Sequence, residues 1–159
     1  MPPAQVIGGG SFTSRLYQQI REKRGLVYTV YSYLWPLDHG ALIAGGAGTA
    51  NARVKETVHL LREEWAKLAK KGITQSELDD AKTYLTGSFA LRFTNSDGIA
   101  EMLVGMQLDH LGIDYFDRRN GLINSVDLKT ANRVAKQLWN PKALSIVVVG
   151  KPKGLPTTQ

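Results

Sequence analysis

Residues 20–33 read IREKRGLVYTVYSY: a charged helix end, a glycine, then an alternation of β-branched and aromatic residues. Gly25 is a natural C-terminal stop for the helix before it. Leu26 to Trp35 has the composition of a strand. The corner also carries two groups that a turn does not require, Arg21 and, seven residues later, Tyr28. A guanidinium presents a fork of donors and a phenol a single donor. Brought to one edge, the pair suits a peptide carbonyl or the oxyanion of an acyl-transfer transition state. A surface arginine and a core tyrosine have the same spacing.

Upstream, Gly8, Gly9 and Gly10 precede SFTSRLYQQIREKRG, which predicts a helix from about Ser11 or Ser14 to Arg24, with a serine N-cap and Leu16 and Ile20 on one face. Downstream, PLDHG predicts a turn and ALIAGGAG an antiparallel return strand, whose small residues point to a close neighbour. Residues 51–71 predict a long helix through Val54, Val58, Leu61, Trp65 and Leu68, stopped by Gly72. Thr74 and Glu77 form a capping box for a helix to about Leu91, and NSD opens another through Met106. Asp114 and Asp127 are predicted caps of two further helices, and Asn140–Pro141 stops the second. ALSIVVVG then reads as a buried strand, and residues 151–159 as a frayed tail.

The order predicts an α+β domain over residues 1–150, a small and mostly antiparallel sheet covered by helices on one face. Three strands are few for so many helices, so the sheet is expected to lack strands belonging upstream of this sequence. At 159 residues, with 43% hydrophobic and 21% charged content, the chain suits one soluble domain with a core of its own. No apolar run approaches the roughly 20 residues of a membrane span. MPPAQVIGGG has neither the basic start nor the apolar middle of a signal peptide. The absence of cysteine excludes disulfides and thiolate zinc sites and leaves the compartment open. The net charge of +6 is spread along helices beside acidic residues, so no nucleic-acid partner is expected. Tyr31, Tyr33 and Trp35 alternate as the inward face of a sheet would.

Catalytic signals are otherwise poor. His39, His59 and His110 fall on separate elements; His59 and Glu63 share a helical turn without a third ligand, and His110 reads as packed on the apolar face of Met106. No metal is expected in this chain. Gly46 and Gly48 in GGAGTAN, like Gly8–Gly10, read as tight backbone turns, since no dinucleotide or P-loop pattern is complete. Glu63 and Glu64 lie among Arg62, Lys67 and Lys70, the pattern of a solvated helix face. No serine has a triad context.

Set beside these readings, GGGSFTSRLYQQIREKRGLVYTVYSY resembles the signature stretch of the pitrilysin (insulinase-like) zinc metallopeptidases. Within them it is similar to the C-terminal domain of the bacterial and mitochondrial-processing-peptidase branch. The similarity continues through GITQSELDDAKTYLTGSF and SVDLKTANRVAKQLWNPKALSIVVVGKP. The resemblance implies one half of a clamshell whose other half bears the inverted zinc motif His-x-x-Glu-His, a motif this sequence lacks. It implies that Arg21 and Tyr28, within REKRGLVY, contact peptide substrate and help complete the partner's zinc site. It implies a non-catalytic domain or subunit of a heteromeric enzyme, inactive alone, with zinc on the partner, in either the bacterial periplasm or cytoplasm. The same fold in a structural scaffold subunit without peptidase activity is the alternative.

Overall fold

The computed structural model describes residues 2–155. The order is α1 (Pro2–Gly8), β1 (Val27–Leu37), β2 (Gly40–Thr49), α2 (Val54–Lys71), α3 (Gln75–Gly87), α4 (Ser96–Leu108), α5 (Tyr115–Asn124) and α6 (Leu128–Leu138). The chain is mostly helical, with a two-stranded antiparallel sheet and helices on one of its faces.

A helix therefore stands before the glycine run, where none is predicted: Pro2–Gly8 is buried along its whole length. It reaches β1 closely. A Cβ on Gly8 would lie 2.8 Å from Ser32 Oγ, 2.9 Å from Ser32 N and 3.0 Å from a Leu16 methyl. Ser32 Oγ–H donates to Ala4 O at 3.4 Å on the same seam. Ile7, Leu16, Ile20, Val27, Val30 and Leu78 continue this contact into the core.

β1 and β2 pair from Leu37↔Gly40 to Val27↔Thr49, and only Asp38 and His39 stand outside the strands. Pro36 and Leu37, expected in the turn, are thus strand residues; Pro is tolerated on this edge strand. Gly46 and Gly48 are strand residues as well. A Cβ on Gly46 would lie 2.9 Å from Tyr31 Oη, so the glycine makes room for the ring across from it. Val30 and Ser32 face the helices, which leaves Tyr31, Tyr33 and Trp35 on the opposite, exposed face. Their expected inward role is overturned for a simple reason: the described helices cover one side of the sheet, and Val30 and Ser32 occupy it.

ALSIVVVG is also corrected. Residues 144–149 belong to no ladder, and Val147 and Val149 are 87% and 94% exposed. A β-branched run becomes a buried strand only where a neighbouring strand accepts its hydrogen bonds, and here none of the described residues does. Lys151 N–H and Lys153 N–H donate to Asn51 Oδ1 and O at 3.2 and 3.0 Å; residues 156–159 of the expected tail lie outside the described residues.

The helical periodicities locate α2 to α6 correctly, with local differences. The buried stripe of α2 is Val54, Thr57, Leu60, Glu64 and Leu68, rotated from the expected one, so Glu64 is 5% exposed and pairs with Lys67 Nζ at 2.7 Å. The helix after the capping box ends at Gly87, and Ser88–Phe93 tightens to a 3₁₀ turn. Asp127 caps α6 by accepting from Thr130 N–H at 2.6 Å. Asp114 makes no capping bond; its carboxylate pairs with Arg118 at 2.7 Å instead. His110 is exposed at φ 52° beyond α4, because the chain turns before the apolar face of Met106 reaches it.

One cluster ties these helices to the segment that leads into β1. Arg15 Nε–H donates to Glu77 Oε1 at 2.6 Å, and Nη2–H donates to Glu77 Oε2 and Gly72 O, each at 2.8 Å. Glu77 also accepts from Thr74 N–H at 2.8 Å, while Thr74 Oγ1 accepts from Glu77 N–H, which completes the capping box. Burial works to raise the Glu77 carboxyl, but the Arg15 hydrogen bonds, the Thr74 bonds and the guanidinium charge outweigh it and hold the pKa below the ordinary carboxylate value. A depressed folded pKa contributes stability above the unfolded carboxylate pKa and loses it as pH falls through the folded one. Glu77→Gln keeps one acceptor but not the charge. It is expected to lower stability in urea by about 1–2 kcal/mol at neutral pH, with a smaller difference from wild type under acid. Matching unfolding midpoints for both proteins at neutral pH would contradict the role assigned to this cluster.

Candidate functional site

The helix that ends at the Gly25 corner is not the regular one predicted from Ser11 or Ser14. Tyr17–Glu22 is a π-helix, with Lys23 N–H bonded to Gln18 O at 3.1 Å. π-Turns widen the helix and recur at functional sites. Its last carbonyls are taken up by the turn that follows: Gly25 N–H donates to Arg21 O at 2.8 Å and Leu26 N–H to Ile20 O at 3.0 Å. Gly25 sits at φ +58°, a conformation that glycine adopts without steric cost. An Arg53 guanidinium N–H donates to Gly25 O from the start of the next helical segment. The corner is thus closed from both sides.

Both residues singled out by sequence are exposed at this corner. Arg21 is in the last π-turn, its guanidinium carbon 4.9 Å from the centroid of the Tyr17 ring. A cation over an aromatic face is restrained without being neutralised. Tyr28 is 75% exposed, and a specific backbone feature puts it there. The register jumps between Val27 and Thr29: Val27 pairs with Thr49 and Thr29 with Gly48. Counting back by alternation from buried Val30, residue 28 would face the core and residue 27 the solvent. The bulge reverses this, burying Val27 and leaving Tyr28 as the extra, outward residue. A core tyrosine is ruled out.

Of Gly8, Gly9, Gly10 and Gly25, read from sequence as structural turns, Gly10 (φ +81°) and Gly25 (φ +58°) lie in the left-handed region, whereas Gly8 ends α1 and serves close helix–strand approach. Sequence reasoning missed Tyr17 beneath Arg21, Arg53 on the corner carbonyl and the Arg15 cluster that anchors the segment. The Arg15–Glu77 pair spans 62 positions and leaves no local pattern.

The residues do not fit a zinc site. His59 Nε2 and Glu63 Oε1 are 3.4 Å apart on an exposed helix face, and among the described residues no three His, Cys, Asp or Glu side chains converge. Among the same residues no helix is long and apolar enough to cross a membrane.

The family model for the Peptidase M16 inactive domain matches residues 4–85, and the chain belongs to that family. It is 34% identical over 137 residues to the uncharacterized zinc protease YmxG of Bacillus subtilis, covering 82% of this chain and 32% of that protein. It is 42% identical over 89 residues to the non-peptidase homolog YmxG of Helicobacter pylori, covering 55% of this chain and 20% of that protein. The crystal structure of a Peptidase M16 inactive domain from Pseudomonas fluorescens superposes with a TM-score of 0.75 at 29% identity, over 88% of this chain and 33% of that one. The chain thus spans about a third or less of the length of these relatives.

Gly25→Ala tests the corner itself. With no atom within 4 Å of a Cβ there, the cost is conformational, about 1–2 kcal/mol. Urea unfolding is expected to show that loss. An unchanged midpoint would mean that the corner does not depend on the left-handed glycine.

Proposed function

We propose that this domain is the substrate-binding, non-catalytic half of an M16-type zinc metallopeptidase, with the zinc on another domain or on a partner subunit of a heteromer resembling the mitochondrial processing peptidase. The zinc and the base that activates water belong to that other half, where metal chemistry polarises the scissile carbonyl. The residues of this chain hold the peptide. Arg21 and Tyr28 donate hydrogen bonds to its carbonyl region as charge develops there, an interaction stronger in the transition state than in the ground state.

The observation that carries this reading is the bulge at Tyr28. A phenol turned out of the core by a register break, at the strand that follows the π-turn carrying Arg21, is 75% exposed and so is not held there by core packing. Bulges re-aim side chains next to active sites. The zinc-protease names of several relatives support the same class of whole protein. The strand edges, which have no partner strand among the described residues, offer main-chain groups for an extended peptide, giving affinity with little sequence preference.

A scaffold role without peptidase activity is the second reading, favoured by the name of the Helicobacter pylori relative, a non-peptidase homolog. The two separate on one assay. In the assembled enzyme, with its zinc-bearing half present, Tyr28→Phe is expected to lower kcat by about 10- to 100-fold with KM changed far less, as for loss of one oxyanion donor at the weaker end of that class. Arg21→Ala is expected to lower kcat/KM by raising KM as well. Turnover that survives both substitutions intact would discard the Arg/Tyr assignment. An assembled complex that cleaves no peptide at all would establish the scaffold.

A further inference from the structure

Arg15, Arg21 and Arg24 lead into the Gly25 corner, and Arg53 closes it from the other side. Three of these four spend guanidinium donors on the protein. Arg15 engages both Glu77 oxygens and Gly72 O, Arg24 Nη1–H donates to Gln19 O at 2.6 Å, and Arg53 donates to Gly25 O. Arg21 is held differently. Among the described residues no carboxylate pairs with it, and its guanidinium carbon lies 4.9 Å from the centroid of the Tyr17 ring. A carboxylate would orient the guanidinium but would also cancel its charge and occupy its fork. A ring face attracts the cation through its quadrupole and takes up none of the five N–H donors.

Tyr17 is itself fixed. It is partly buried and packs against the core cluster. The Phe12 ring meets it at 78° with centroids 5.1 Å apart, the edge-to-face arrangement that aromatic pairs favour. Phe12 is 72% exposed, so core packing does not explain its placement. Gln18 Nε2–H donates to Phe12 O at 2.7 Å and ties the Phe12 main chain to the residue after Tyr17. Phe12, Tyr17 and Arg21 thus form one stack that runs from just after the glycine run to the end of the π-helix.

We infer that Tyr17, braced by Phe12, is the positioning residue for Arg21: its ring sets the direction of the guanidinium and leaves the N–H fork open to a substrate carbonyl. Tyr17 touches no substrate in this scheme and acts through Arg21 alone. The kinetic consequence rests on the reading of Arg21 as a substrate contact; the stack itself does not.

Two measurements test this separately. The first is NMR of the intact protein, following the δ-methylene and ε protons of Arg21. Protons over a ring face are shielded, so these are expected upfield of their free-arginine positions, to stay upfield in Tyr17→Phe, and to return to the free positions in Tyr17→Leu. The second is steady-state kinetics in the assembled enzyme. An exposed cation–ring contact corresponds to about two- to fivefold in an equilibrium. Tyr17→Leu is expected to lower kcat/KM by about that factor with KM raised, and Tyr17→Phe to keep wild-type values. In an Arg21→Ala background Tyr17→Leu is expected to have no further effect. Arg21 protons at free-arginine positions in the wild-type protein would overturn the inference, a result that needs no variant to fold. So would a Tyr17→Leu loss of equal size with and without Arg21, since the ring would then act through the fold. Impairment of Tyr17→Phe to the level of Tyr17→Leu would overturn it too, because the hydroxyl would then matter and not the ring. If Arg21→Ala leaves the kinetics unchanged while the upfield shift is present, the substrate-binding assignment of Arg21 fails and its positioning by Tyr17 stands.

Discussion

The bidentate contact of Arg15 with Glu77 is the constraint on which the rest of the arrangement depends. One guanidinium engages both carboxylate oxygens of the residue that caps α3, and the carbonyl of the glycine that ends α2. Two helix termini and the segment leading to β1 therefore share one partly buried node. Charge-assisted, forked hydrogen bonds combine strength with a fixed angle. The node sits two residues before the π-turn, so it sets where that turn begins and hence where Arg21 and the Gly25 corner emerge. A matching lock on the far side, the paired bonds between Asn132 and the main chain of Ile73, holds α6 against the same loop.

On this anchored frame one face of the hairpin is packed and the other is left exposed. The inner face of the hairpin is occupied by α1, which approaches so closely that only glycine fits at position 8. The outer face and the corner carry an arginine and four large aromatic side chains, all exposed. A stable domain that only needed to fold would bury such groups, because each buried aromatic contributes on the order of 1.5–3 kcal/mol. Keeping them at the surface is consistent with a half-chamber whose inner wall meets peptide, which is the role proposed for it. The exposed valines of residues 144–149 differ in kind: they lack neighbours of their own sheet.

Much of this was legible in the residues. Helix stops at Gly25 and Gly72, the capping box at Thr74 and Glu77, the cap at Asp127 and the antiparallel hairpin follow from interactions within a few positions, where sequence and geometry are tied by bond lengths and backbone torsions. The resemblance carried by REKRGLVY placed the chain in the right family. Other features were hidden, for identifiable reasons. Alternation in TVYSYLW marks two faces of a strand without saying which is inside, and only the presence of α1 against Val30 and Ser32 decides it. Likewise, nothing local distinguishes Glu64, buried and paired with exposed Lys67, from its exposed neighbour Glu63.

The sequence by itself determined the class of fold, the hairpin, the helices from α2 to α6 and the residues that stand at the corner, because these rest on short-range propensities, caps and periodicity. Tertiary structure alone decided which way those residues face. The bulge that turns Tyr28 outward is a register break between two strands, the exposure of Tyr31, Tyr33 and Trp35 depends on the described helices covering only the opposite side, and the valine run pairs with no strand among the described residues. Each of these is a relation between segments distant in the chain, and a side chain's direction relative to a partner is not encoded in the side chain.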